Sequence, residues 1–190
     1  MTPSLLENPV LRFGFHWLPR ALLFLMRWKV KGHLPDTRKF VLIAAPHSSN
    51  WDFVFFLLVV FKFKMPVYWM GKHTMFIPPF RWLLKKLGGI PIDRTIAGNT
   101  VRSMARAFEE SRDMILTIAP SGTRSKTRQW KSGFYHIAHQ ADVPIVCGYI
   151  DYPNRTAGVG PTFRPGGDIE KEIKTIQQFY APFSGKQGVG

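Results

Sequence analysis

Short apolar runs of strand length recur along this chain, and helix-length segments separate them. The runs lie at residues 40–45, 65–71, 88–93, 114–120 and 143–151. A strand that is buried on both faces gives a continuous apolar run, whereas a half-exposed strand alternates apolar with polar residues. Such runs, alternating with helices, predict an α/β fold in a single domain, with a central, mostly buried sheet flanked by helices.

The segments between the runs have helical character. The apolar stretch at 53–63 has the length of a buried helix rather than of a membrane span. Residues 75–88 begin near prolines and end at a glycine, and residues 99–113 are amphipathic with Asn99 as the expected N-cap. A further short helix is expected at 134–142.

The domain is expected to occupy residues 33–183, with a loose tail at 184–190. Residues 1–32 are apolar, aromatic and basic, and they predict an amphipathic helical segment in contact with the membrane interface. The alternative is a helix or helix pair packed onto the domain. Charges and a proline interrupt the segment, which argues against a spanning helix, and the features of a secretory signal are missing.

The charge balance points to an anionic partner. The chain has 26 Lys and Arg against 12 Asp and Glu, a formal net charge of +14. A membrane surface with anionic lipid, a phosphate-bearing substrate or nucleic acid would suit this charge. No nucleic-acid motif is recognisable, so nucleic-acid binding rests on charge alone and is not expected. The single cysteine, Cys147, excludes an internal disulfide, fits a reducing compartment and is expected to be a small buried hydrophobe.

A histidine and an aspartate follow the first apolar run in the segment PHSSNWD, residues 46–52. On one continuous helix, residues five positions apart point about 140° apart and do not touch. His47 and Asp52 meet only if His47 lies on a loop and Asp52 lies in the first turn of the next helix. Pro46 and the cap-forming residues 48–50 permit that arrangement.

This pair would have the elements of a general base. A helix N-terminus favours an ionised Asp52. If Asp52 accepts a hydrogen bond from Nδ1 of His47, Nε2 is left free to act as a base. It could then take the proton of a hydroxyl that attacks an acyl carbonyl. The alternative is a loop histidine beside a helix-capping aspartate, and the spacing alone does not separate the two. A serine nucleophile is not expected, since no G-x-S-x-G elbow occurs. A metal is not expected, since metal-ligand spacings are absent. No other cofactor is expected.

Arg94 and residues 121–125 follow two later strands and suit an anionic group, and Lys72 could extend the basic surface. Arginine binds phosphate with two donors, and small residues allow backbone N–H groups to approach an anion. Each such residue alone is also consistent with an ordinary solvated surface position. The residues proposed to bind substrate are Lys72, Arg94, Ser121, Gly122, Thr123, Arg124 and Ser125.

Four segments of the chain resemble, in order, the sequence blocks of the glycerolipid acyltransferases, the lysophosphatidate-acyltransferase-like family with the H-x4-D motif. The segments are PHSSNWD, GGIPIDR at 88–94, APSGTRS at 119–125 and VPIV at 143–146, and they span about residues 40–150. An H-x4-D motif alone is weakly specific, but four blocks in family order are strongly specific.

The resemblance implies transfer of an acyl group from acyl-CoA or acyl-acyl carrier protein to the hydroxyl of a lysophospholipid-like acceptor. It implies His47 as general base, Asp52 as its orienting partner and no covalent acyl-enzyme. Arg94 and the segment 122–124 would hold the acceptor phosphate. It also implies an α/β domain with N-terminal helices that dip into the membrane, and hence a peripheral membrane protein on the cytoplasmic side.

One position departs from the family pattern. The family normally has a glutamate where this chain has Ser121, so the site loses a carboxylate and is one charge more positive. Either the acceptor head group differs from lysophosphatidate, as in a lyso-aminolipid, or activity is weakened, or the change is neutral. A catalytically silent basic lipid-binding protein is the further alternative, and the intact His47 and Asp52 argue against it.

Overall fold

A seven-stranded sheet forms the centre of the molecule in the computed structural model, which describes residues 17–63, 65–92, 97–121 and 130–185. The strands are β1 (Lys29–Lys31), β2 (Lys39–Ala45), β3 (Val67–Lys72), β4 (Gly89–Ile92), β5 (Met114–Ile118), β6 (Ile145–Asp151) and β7 (Thr156–Phe163). The helices are α1 (Trp17–Leu25), α2 (Trp51–Phe63), α3 (Phe80–Lys86), α4 (Ala97–Glu110), α5 (Gly133–Gln140) and α6 (Ile169–Tyr180), with a 3₁₀ turn at His73–Met75.

The strand order places β2 near the middle of the sheet. The order is β1-β7-β6-β2-β5-β3-β4, in which β6 and β7 are antiparallel and every other neighbouring pair is parallel. The strands β2 to β6 therefore all end at the same side of the sheet, which we call the carboxyl edge. Functional loops in α/β proteins gather at this edge.

Each face of the sheet carries its own apolar layer because successive strand residues point to opposite faces. Val41 and Ile43 of β2 face α4, α5 and α6. Phe40 and Leu42 face the other way and pack with residues of α2. The helix α1 lies outside α2, and the two helices share a small cluster around Leu23. The predicted α/β class, with a buried sheet between helices, is confirmed.

Cys147 lies on β6 within the first of these layers. Its side chain is fully buried, as the sequence predicted. Burial raises the pKa of the thiol to about 12, and a hydrogen bond with Tyr180 only partly opposes that rise. The residue therefore serves as a packing group.

Two helix predictions were wrong in detail. The helix expected at 75–88 is only α3, because the chain first makes a 3₁₀ turn and then passes the prolines before Phe80. Asn99 does not cap the next helix: α4 begins at Ala97, so Asn99 lies inside it, where its side chain is exposed.

The sequence pattern did not reveal β1, β7 or α6. The strand β7 contains glycines and a proline, and its sequence resembles that of a loop. Gly158 is nevertheless required in this strand, because a Cβ atom at position 158 would lie 2.1 Å from the carbonyl oxygen of Lys31. Residues 1–16 of the predicted N-terminal segment lie outside the described residues, and the rest of it forms α1 and then β1, which is an edge strand of the sheet. Of the described residues, no helix is both long and apolar enough to span a bilayer.

Candidate active site

His47 and Asp52 meet at the carboxyl edge of β2, the arrangement expected from the sequence. His47 lies on the loop after β2, and Asp52 lies in the first turn of α2. Nδ1 of His47 is 3.2 Å from Oδ2 of Asp52. The His47 side chain is 27% exposed and that of Asp52 only 5%, so the histidine lies between the aspartate and the solvent.

Asp52 is held as an anion by several donors. Its Oδ2 accepts hydrogen bonds from the backbone N–H groups of Ser48 and Ser49, at 2.5 and 2.8 Å. Burial by itself would raise the pKa of this carboxyl, but the hydrogen bonds from His47, Tyr152 and the two N–H groups outweigh it and lower the pKa to about 2. The carboxylate is therefore ionised throughout the physiological pH range.

Tyr152 is a member of this site that sequence analysis missed. Its hydroxyl donates to Oδ1 of Asp52 at 2.5 Å and lies 3.5 Å from Oγ of Ser49. Its ring makes edge contacts with Trp28 and Phe55. Burial, with the hydrogen bond to Asp52, raises the pKa of the phenol well above its usual range, so Tyr152 stays a hydrogen-bond donor. Its place directly after β6, at the carboxyl edge, was the signal that could have identified it.

These contacts fix the tautomer of His47. A carboxylate has no proton to donate, so the Nδ1 atom that faces Oδ2 of Asp52 carries the hydrogen. In the neutral imidazole, the lone pair then lies on Nε2, pointing away from Asp52. The geometry thus gives a histidine that is oriented by a buried anion and is able to accept a proton at Nε2.

An apolar cavity of about 360 Å³ opens beside the pair, between α2 and the sheet. His47 and Asp52 contribute to its lining, and the other side chains around it are mostly aliphatic or aromatic. They include Leu42 of β2, Phe53, Phe56 and Val59 of α2, Trp69 of β3, Met75 of the 3₁₀ turn and Leu84 of α3. The volume falls in the range of small-molecule sites, and the lining suits a hydrocarbon chain.

The remaining predicted substrate-binding residues divide into two groups. Lys72 is the last residue of β3 and is exposed, and Ser121 is half-buried just after β5, so both lie at the carboxyl edge. The others lie outside the described residues: Arg94, Gly122, Thr123, Arg124 and Ser125. Across the described ranges, no three potential metal-ligating side chains come together.

Comparison with known proteins places the chain in a family. The family described as Acyltransferase matches residues 27–151, which include His47, Asp52 and Asp151 at the end of β6. That match covers most of the sheet and both halves of the His47–Asp52 pair.

Individual relatives agree with the family match. The chain is 26% identical to a 1-acyl-sn-glycerol-3-phosphate acyltransferase of Pseudomonas aeruginosa, over 85% of this chain and 68% of that protein. It is also 26% identical to an enzyme of the same name from Streptococcus pneumoniae, over 70% of this chain and 52% of that protein. The chain thus spans between about half and two thirds of the length of these relatives.

A solved structure shares the fold. The 1-acyl-sn-glycerophosphate acyltransferase PlsC of Thermotoga maritima superposes with a TM-score of 0.59 over 92% of this chain and 82% of that one, at 16% identity. At that identity, the likeness supports the fold alone. With the family match over residues 27–151, it leads to one conclusion: the chain belongs to the acyltransferase family.

Proposed function

We propose that the protein is an O-acyltransferase that moves a fatty acyl group from an acyl thioester to the hydroxyl of a lysophospholipid-like acceptor. The observation that carries the proposal is the contact between His47 and the ionised Asp52 at the wall of an apolar cavity. A base beside a hydrocarbon-lined space suits a reaction between a lipid hydroxyl and an acyl group. The family match supports the same class of reaction.

The reaction follows from the tautomer of His47. Nε2 accepts the proton of the acceptor hydroxyl while the hydroxyl oxygen bonds to the thioester carbonyl carbon. The resulting tetrahedral intermediate collapses, the carbon–sulfur bond breaks, and the thiolate takes the proton from Nε2. The imidazolium that exists between these two transfers is stabilised by the Asp52 carboxylate. The products are an ester and a free thiol, and no covalent acyl-enzyme forms.

The cavity beside His47 is proposed to hold the acyl chain. Its lining atoms from Leu42, Phe56 and Val59 extend away from the histidine along the sheet and α2. A chain bound there would place its thioester end near Nε2 of His47. Removal of this apolar surface from water supplies the binding free energy, at about 25 cal/mol per Å².

The acceptor is proposed to carry a phosphate, as the names of the two curated relatives indicate for those proteins. The positive charge of the chain supports an anionic head group. Lys72 at the carboxyl edge, together with Arg94 and residues 122–125, would contact it. Ser121, which replaces the usual glutamate of the family, is the position where the choice of acceptor is expected to differ.

The site of action is proposed to be a membrane surface on the cytoplasmic side. In α1, the side chains of Trp17, Phe24 and Leu25 are exposed, which suits insertion at a lipid interface. The single buried cysteine is compatible with a reducing compartment.

A panel of donors and acceptors tests the proposal. Purified protein is supplied with acyl-CoA or acyl-acyl carrier protein and with lysophosphatidate, another lysophospholipid or a lyso-aminolipid, and thiol release is followed. We expect acceptor-dependent release that falls about 10²- to 10⁴-fold in His47→Ala. Release that is unaffected by His47→Ala would contradict the proposed role of the histidine. No release with any pair would contradict the proposal as a whole and favour a lipid-binding protein without catalysis.

A further inference from the structure

The segment between β3 and β4 exposes a group of large apolar side chains. Ile77, Phe80 and Trp82 are 58%, 59% and 65% exposed. Met75 and Leu83 are also exposed. We call the set Met75, Ile77, Phe80, Trp82 and Leu83 the α3 patch. Single exposed apolar residues are common on protein surfaces, but a cluster of this size within one short segment marks an interaction site.

The segment is attached to the domain at its two ends, and between them Leu84 lines the cavity beside His47. At the first end, Phe76 is buried and packs on Gly71 and Gly89, where a Cβ atom would lie 3.0 and 2.8 Å from its ring. At the other end, the indole N–H of Trp69 donates to the carbonyl of Leu87 at 2.9 Å. Apart from Met75, the residues of the α3 patch lie between these two attachments, and their side chains are exposed.

The helix α3 lacks the usual source of helix stability. It has seven residues, none of which is buried. Isolated helices of this length are unstable in water, and helices in proteins are stabilised mainly by packing of an apolar face. Three of its four apolar residues, Phe80, Trp82 and Leu83, are exposed instead, so a surface outside the described part of the chain would be needed to cover them.

The charge around the α3 patch identifies that surface. The sequence from Phe53 to Ile92 contains no aspartate or glutamate. Its basic residues are Lys62, Lys64, Lys72, Arg81, Lys85 and Lys86. Of these, Arg81 and Lys85 lie on α3 itself and are exposed. Exposed aromatic and aliphatic side chains interspersed with lysine and arginine match the interface of a bilayer that contains anionic lipid.

We propose that the α3 patch inserts into the surface of an anionic membrane and forms a second membrane contact, separate from α1. This inference rests on the proposed function, which places the enzyme at lipid. Met75 and Leu84, on the same segment, line the cavity that His47 adjoins. Insertion of α3 therefore sets the mouth of this cavity against the acyl region of the bilayer, so that a lipid substrate reaches His47 without crossing water.

Vesicle binding of the full chain tests the proposal independently of catalysis. Vesicles of phosphatidylcholine with phosphatidylglycerol are sedimented with wild-type protein and with the double variant Phe80→Ser/Trp82→Ser. We expect binding to fall about tenfold or more, because two large apolar groups no longer leave water. In Arg81→Glu/Lys85→Glu, binding to these vesicles falls about thirtyfold, and binding to pure phosphatidylcholine changes little.

A matched control separates a local contact from the loss of net charge. Lys171→Glu/Lys174→Glu makes the same change in charge on α6. The helix α6 packs on the face of the sheet opposite to the one that α2 covers. We expect this control to bind vesicles nearly as tightly as wild type. Equal losses in the two charge variants, or wild-type binding by Phe80→Ser/Trp82→Ser, would overturn the proposal.

A label on the patch gives a readout that does not depend on deleting it. An environment-sensitive dye on Ile77→Cys should shift its emission to the blue on addition of vesicles, and the same dye on Glu109→Cys of α4 should not. A dimer in vesicle-free solution that Phe80→Ser/Trp82→Ser converts to a monomer would mean that a second copy covers the patch, and would overturn the proposal. Failure of acyl transfer in all assays, with vesicle binding as expected, would instead count against the proposed function.

Discussion

The hydroxyl of Tyr152 donates a 2.5 Å hydrogen bond to Oδ1 of Asp52, a residue 100 positions earlier in the chain. The other carboxylate oxygen faces His47. The tyrosine thus binds one carboxylate oxygen and leaves Oδ2 to face Nδ1 of the histidine. In the proposed mechanism Tyr152 is a positioning residue, because it would act on His47 through Asp52.

Replacement of Tyr152 by phenylalanine removes that hydrogen bond and keeps the ring. We expect kcat to fall about tenfold and KM to change little, because the substrate contacts are retained while the orientation of His47 is loosened. The pKa of Asp52 should rise from about 2 toward its ordinary value. The free energy of unfolding, measured by urea titration, should therefore fall less between neutral pH and about pH 2 than it does in wild type.

Tyr180→Phe is the matched control for that variant. Its hydroxyl is also buried and donates to the backbone carbonyl of Gly148, an uncharged acceptor. The control should lose about 1 kcal/mol of stability, by the same amount at neutral and at acid pH, so the pH dependence of its unfolding free energy should equal that of wild type. An unchanged pH dependence of the unfolding free energy and an unchanged kcat in Tyr152→Phe would show that the tyrosine does not orient the pair.

Asp52 should make stability depend on pH in the acid range. Its folded-state pKa of about 2 lies below the ordinary value of 3.8, so its contribution is complete above pH 3.8 and is lost as the pH falls through about 2. The difference corresponds to about 2 kcal/mol. Asp52→Asn should lack this acid-dependent part of the unfolding free energy, measured by urea titration at several pH values.

The same variant should impair catalysis strongly at neutral pH. An asparagine can donate to Nδ1 of His47 and favour the tautomer with hydrogen on Nε2, which cannot accept a proton. We expect thiol release to fall about 10³- to 10⁴-fold. Near wild-type activity of a folded Asp52→Asn protein would argue against the role of His47 as a base oriented by a carboxylate.

The cavity beside His47 should determine which acyl chains are used. Val59 of α2 lines it, and Val59→Phe should shorten the available space. Competition between acyl donors of different length should show kcat/KM for the longer chains reduced about tenfold or more relative to the shorter ones. Val143→Phe adds the same volume to the core outside the cavity and should lower stability without altering the ratio. If Val59→Phe and Val143→Phe gave the same ratio of kcat/KM for longer to shorter donors, the acyl chain would have to bind outside this cavity.

Ser121→Glu restores the carboxylate that is usual in the family. We expect it to raise kcat/KM for lysophosphatidate severalfold, by about 1 kcal/mol, relative to other lysolipids, because it restores an ordering contact near the acceptor phosphate. Ser103→Glu, at an exposed position of α4, adds the same charge away from the carboxyl edge and is the control. No change in rate or in acceptor preference would mean that the replacement at position 121 is neutral.

The local part of the site was predictable from the sequence. Pro46 and the cap-forming serines end a strand and begin a helix within a few residues, so short-range rules permitted the contact between His47 and Asp52. The resemblance of residues 46–52 to the H-x4-D block favoured it over a loop histidine beside a helix cap. Ser121 was likewise expected to follow a strand, and it lies just after β5, whereas Lys72 is the last residue of β3 itself.

The long-range part was not predictable in the same way. Tyr152 reaches Asp52 because β6 pairs with β2, where Tyr149 lies opposite Ala45, and no local pattern encodes that pairing. The strand β7 was missed because its glycines serve close backbone packing and resemble those of a loop. The cavity depends on the separation of α2 from the sheet, which follows from the packing of the whole layer.

The burial of Cys147 has a practical consequence for work on this protein. With no other cysteine in the chain and the thiol pKa raised to about 12, the native protein should be inert toward thiol-specific reagents. A colorimetric thiol reagent would then detect only the thiol of CoA or of acyl carrier protein that is released during the proposed reaction. Any cysteine introduced at the surface would be the sole reactive thiol, so probes and cross-linkers can be attached without first removing a native residue.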